Sequence, residues 1–215
     1  MPQPVFDPNK IAYYEKAGWE AYYDRNWPRA FWLLVKLNRT QFRMSRWTAV
    51  TAALDTVRAS LAFAPIDNDV PEARRHIEKF FEKARRSLNI KASASTLAER
   101  EIDYWLIHRE LALQRQQAPH EDNLEPLVQS LANLHAALFD STPAAMRRSA
   151  ERRALAMKAV DRITGNYSTD VAADWQETEE YLRQAYRAVE AARSQVEGVT
   201  RPEWNKHGQE KHGRE

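Results

Sequence analysis

Apolar residues return every three or four positions along most of this chain, the period of an α-helix with one buried side. The cleanest run lies between Asn123 and Phe139, where Leu124, Leu127, Val128, Leu131, Leu134 and Leu138 form one stripe and His135 takes one of its apolar slots. Val50, Leu54, Val57 and Leu61 predict a helix from Ser45 to about Ala64, and Ile77, Phe80 and Phe81 the inner side of one from Asp69 to about Leu88. From Thr96 to about Gln116, Leu97, Ile102, Tyr104, Trp105, Leu106, Ile107, Leu111 and Leu113 cover more than one stripe, which predicts burial on two sides. Met146, Ala150, Ala154, Met157 and Val160 line a helix opened by Thr142-Pro143 and closed by Gly165. Asp170 caps the last one, with Val171, Trp175, Thr178, Leu182, Ala185, Val189 and Ala192 along one side.

The segment from Lys10 to Phe42 is apolar in a different way. It holds Tyr13, Tyr14, Trp19, Tyr22, Tyr23, Trp27, Phe31, Trp32 and Phe42, and rings of this size are expected to be buried under other helices. Asp7-Pro8 starts it, and Asn26-Trp27-Pro28 either kinks it or divides it into helices of about 9 to 25 and 27 to 42. Only five glycines occur, three of them after Val196, too few for the hairpin turns of a β-protein. The expected fold is therefore all-α: a bundle of six to seven helices, mostly antiparallel, around the aromatic-rich N-terminal segment. Residues 1-197 read as a single helical domain and 198-215 as a flexible polar C-terminal tail.

Composition narrows the chemistry. With no cysteine, thiol nucleophiles, disulfides and thiolate-held metals are excluded. No apolar run reaches the ~20 residues of a spanning helix and no secretory signal opens the chain, so a cytoplasmic protein with no membrane partner is expected. A net charge of +2 demands no polyanion. Arg147, Arg148, Arg152 and Arg153 cluster within two turns, but the aromatics that would stack on bases look committed to the core, so nucleic acid is not an expected partner.

Tyr14, Gly18, Ala30 and Leu34 stand at the spacing of one tetratricopeptide-type unit, so this stretch resembles a single helical hairpin of that repeat. No second copy follows at its period, and no peptide-binding residue is carried over from it.

Catalytic bundles build their sites from carboxylates and histidines that project inward from facing helices. Glu101 and His108, seven apart, share a stripe with Leu97, Tyr104 and Leu111, His135 interrupts the leucine stripe, and Glu15 precedes Trp19 and Tyr22 at helical spacing. Glu15, Glu101, His108 and His135, with Glu151 or Asp161 in support, are the candidate ligands of one or two iron or manganese ions. The Glu-x-x-His pairs of ferritin-like di-iron bundles are absent, since Ala132 and Trp105 stand three residues before the two histidines. The Glu101-to-His108 spacing is similar to one segment of the haem-oxygenase-like di-metal oxidases, whose His-x-x-x-Asp-x-x-His segment this chain lacks. Taken singly, each histidine also reads as a core imidazole bonded to a neighbour, and each glutamate as half of a buried ion pair. Two functions follow from this. The first is an interaction or small-ligand-binding module without its own catalysis, met by a protein partner, a small molecule or a second copy of the chain. The alternative is a non-haem metal-dependent oxidoreductase.

Overall fold

The computed structural model describes residues 6–117 and 123–199. Among them the chain is helical throughout: α1 (Pro8–Tyr23), α2 (Trp27–Gln41), α3 (Arg46–Phe63), α4 (Val70–Leu88), α5 (Ala94–Gln117), α6 (Glu125–Phe139), α7 (Pro143–Thr164) and α8 (Val171–Val199). Eight helices stand where six to seven were expected, because Asn26-Trp27-Pro28 divides the N-terminal segment in two. Asn26 accepts a hydrogen bond from the Arg29 backbone amide, and Pro28 sits in the first turn, where its missing N–H costs nothing. The polar tail, from residue 200 onward, lies outside the described residues.

Most starts follow the sequence signals. Asp7, Ser45, Asp69, Thr142 and Asp170 each accept from a backbone amide of the first turn. The start of α5 differs: Ser93, not Thr96, is the cap, with its Oγ accepting from the Thr96 amide at 3.0 Å. The ends are less orthodox. Arg25, Arg43, Asn89, Asp140 and Asn166 all hold left-handed backbone with φ between 53° and 59°, the work that glycine does in most chains. Gly165 itself is right-handed, and Asn166 makes the turn after α7.

Each helix packs on its neighbours in sequence, and α8 returns against α1, so the order of packing closes into a ring. The largest apolar cluster joins α2 to α7 through residues such as Phe42, Ala53, Ile77, Phe81, Leu97, Leu127 and Leu131. Smaller clusters tie α1 to α7 and α8 through Ile11, Ala12, Ala156, Leu182 and Tyr186, and α6 to α8 through Ala136, Met146 and Val189.

The aromatic N-terminal segment is not the interior of the bundle. Of its nine rings only Phe42 is buried, at 6% exposure, whereas Tyr13, Tyr22, Tyr23, Trp27 (55%) and Trp32 (58%) are exposed. What α1 and α2 bury is Ile11, Ala12, Ala17, Ala21, Leu33 and Val35, smaller side chains that let the two helices approach closely. The rings stand edge to face along the outside, as in Tyr22–Trp27 at 5.4 Å and Phe31–Trp32 at 5.8 Å. Along α7, Met146, Ala150, Ala154, Ala156 and Ala159 are fully buried.

Stability is expected to follow this division. Leu97→Ala or Leu131→Ala, at fully buried positions, should cost about 2–5 kcal/mol in urea unfolding. Trp47→Ala, at a position 81% exposed, should cost no more than about 0.5 kcal/mol.

Candidate functional site

One face of α7 carries a polar stripe through the middle of the bundle. Ser149, Arg153 and Asp161 follow each other at one-turn and two-turn intervals, and each reaches a different part of the ring. Ser149 meets His135 of α6, with Oγ 3.0 Å from Nδ1. Arg153 reaches α1, where its guanidinium donates to both oxygens of Glu15 at 2.6 and 3.1 Å. The Tyr186 hydroxyl of α8 donates to the same carboxylate at 2.5 Å. Asp161 reaches α5, where it lies 3.0 Å from His108 Nε2 and 2.5 Å from Arg115 Nη1.

The Glu15–Arg153 pair is fork-to-fork and almost free of solvent, with 6% and 14% of the two side chains exposed. Burial works against the arginine's charge, but the Glu15 carboxylate beside it holds its pKa well above the usual guanidinium value. Burial, then the Glu15 charge, push the Tyr186 hydroxyl up in the same way. The Trp19 ring lies 5.8 Å from the guanidinium carbon.

Glu101 stands next to this pair without joining it. Its Oε1 accepts from the Tyr104 hydroxyl at 3.0 Å and from the Trp105 indole N–H at 3.1 Å, both one turn further along α5. Glu101 is half-buried, so part of its surface is left uncovered by the helices around it. Glu101 Oε2 and Arg153 Nε take no partner among the described residues, and neither atom is sealed off. Burial pushes the Glu101 carboxyl up, against the pull of nearby Arg153, and the Glu15 charge adds to the rise.

The four residues expected to hold a metal therefore do not form one ligand set. Glu15, Glu101 and His135 gather around Arg153, and the cation that Glu15 faces is the guanidinium. His108 is two turns of α7 away, on Asp161. Among the described residues no three His, Asp or Glu side chains converge so as to hold a metal ion. Glu151, the other supporting candidate, pairs with Arg147 at 2.9 Å. The expected basic partner of Glu101 is replaced by a tyrosine and a tryptophan of its own helix.

Arg153 is the residue that sequence reasoning missed. It falls three positions after Ala150 and four before Met157, on the inner stripe, but among neighbouring arginines it looked like part of a solvated face. Arg147 and Arg148 are exposed as expected. Arg109 is another such case, donating to the Pro65 carbonyl at 3.1 Å and capping the end of α3 over the Phe63 ring.

Comparison with protein-family models, with curated proteins and with solved structures finds no match to this chain.

Two outcomes follow from the pairing. Arg153→Met leaves the Glu15 carboxylate buried and unpaired and should cost about 3–5 kcal/mol of unfolding free energy, whereas Glu15→Leu combined with Arg153→Met should restore much of that loss. His135 is held neutral by burial and by the Arg153 charge, which bring its pKa down to about 3 from 6.5. The unfolded chain then takes up the proton first, so this residue's contribution to stability is complete above pH 6.5 and is lost as the pH falls toward 3. Between pH 6.5 and 5, wild-type stability should fall with acidification more steeply than that of His135→Asn, by up to about 1.4 kcal/mol per pH unit.

Proposed function

We propose that this chain is a small-ligand-binding helical bundle whose ligand enters the space between α1, α5 and α7 and presents an N–H donor or a cationic group to Glu101. The observation that carries this reading is the pair of polar atoms, Glu101 Oε2 and Arg153 Nε, that take no hydrogen-bond partner among the described residues and keep accessible surface. Charge balance supports it. Glu15 and Glu101 are two carboxylates against one guanidinium, and a buried carboxylate needs either a proton or a cationic partner. Trp19 beside Arg153 and Trp105 bonded to Glu101 supply aromatic surface of the kind that accepts organic cations. The ring of packed helices supports one domain through residue 197, and connections of three to seven residues between packed neighbours support a mostly antiparallel arrangement.

The test is a thermal-shift screen of small amines and guanidines against carboxylates of matched size, with tryptophan fluorescence as the second readout. At about one hundred times its dissociation constant, a true ligand adds about 2.7 kcal/mol to stability. Cations are expected to raise the melting temperature of the wild type and to lose that effect in Glu101→Gln. A panel without effect on either readout, or an equal shift in Glu101→Gln, would contradict the reading.

A further inference from the structure

Between Arg25 and Leu54 the chain carries six basic side chains and not one acidic one, while the whole chain holds 32 basic and 30 acidic residues. Everything outside this stretch is therefore net acidic, and the near-neutral total conceals a charge separation. Folding turns the stretch into a face. Arg29, Trp32, Lys36 and Arg39 are all exposed and fall at intervals of three, four and three along α2, which places them on one stripe about 15 Å long. Arg46 and Trp47, both exposed at the first turn of α3, follow it in the chain. None of these four cations forms an ion pair among the described residues, whereas Arg74, Arg75, Arg86, Arg147, Arg162 and Arg183 elsewhere all do.

Cations in a row with no carboxylate paired to them suit an anionic partner with regularly spaced charge, and the indoles among them point to which kind. A lipid-surface helix sets its cations beside a row of aliphatic side chains that enter the bilayer. Of the aliphatic residues of α2, Leu33 and Val35 are buried and Leu34 and Leu37 are half-buried against the core clusters, so no exposed row of that kind is left. Indole faces exposed between arginines suit bases stacked on them while phosphates meet the cations, and bases offer their faces only when unpaired. Beside Trp47 an open groove of about 420 Å³, floored by Thr48 and Thr51 and edged by Arg86, gives a base room to stack on the indole.

We propose that the stripe of Arg29, Trp32, Lys36 and Arg39, with Arg46 and Trp47 after it in the chain, is a docking surface for single-stranded nucleic acid. The surface is separate from the interior site and does not depend on it. Both grounds on which the sequence argued against such a partner, a net charge of +2 and aromatics committed to the core, fail at this face.

The test uses the full chain and fluorescence anisotropy of labelled oligo-dT and oligo-U of about twenty nucleotides, in low salt. Binding is expected, with the logarithm of affinity falling linearly with that of salt at a slope of roughly −3 for four phosphate contacts. Arg29→Glu with Arg39→Glu should weaken it at least tenfold and flatten the slope. Trp32→Ala should weaken it about 5- to 100-fold with the slope unchanged, as stacking predicts. The substituted side chains are exposed, and circular dichroism checks that each variant folds. The proposal is overturned if no oligonucleotide binds at 50 mM salt, or if a duplex of the same length binds as tightly. It is equally overturned if Arg147→Glu with Arg148→Glu causes the same loss, or if the protein sediments with phosphatidylserine vesicles while ignoring oligonucleotides.

Discussion

A guanidinium placed where the helices of a closed ring face one another is the constraint on which this molecule depends. Taking Arg153 and Glu15 out of water costs several kcal/mol for each charge, and only their two parallel hydrogen bonds, with the Tyr186 hydroxyl on the same carboxylate, recover it. Those bonds tie α1, α7 and α8 together through the far ends of the chain. Arg153 and Glu15 are separated by 138 positions, yet their geometry fixes how α1 meets α7. The same charge then organises its surroundings. It helps to hold His135 neutral and draws on Glu101 without pairing to it.

Helix existence was legible in the chain because it is local chemistry. Periodicity, the capping aspartates and serines and the first-turn prolines mark seven of the eight starts, and Ser93 escaped because Thr96 three residues later offers an equally good capping group. Which helix lies inside was not legible from ring size. Aromatic mass at the N-terminus suggested a core, but α1 and α2 alternate their rings with alanines, and close helix approach selects the small residues for the interior. The buried side of α7 is marked only by alanines, methionines and Val160, and the helix carries five arginines besides.

The candidate site was half legible. Glu15, Glu101, His108 and His135 were found because polar residues on apolar stripes are costly unless satisfied, and all four have specific partners. What one helix at a time cannot show is which polar residues share a partner. The spacing of Glu101 and His108 suggested a common ligand set, yet one looks toward Arg153 and the other toward Asp161, because α7 distributes its polar groups two turns apart. Charge shows the same limit on the outside: a total near zero hid an acid-free face on α2 that only its register on the helix brings together.

The central claim, that the half-buried Glu101 carboxyl stands beside the Glu15–Arg153 pair with one oxygen left without a partner among the described residues, is tested most directly by a carbon-13 NMR titration of the Glu101 side-chain carboxyl, assigned through Glu101→Gln. The account requires an apparent pKa clearly above that of an ordinary glutamate, because burial outweighs the attraction of Arg153. A value at or below the ordinary one would mean that Glu101 is solvated or directly ion-paired, and the interior site described here would not exist.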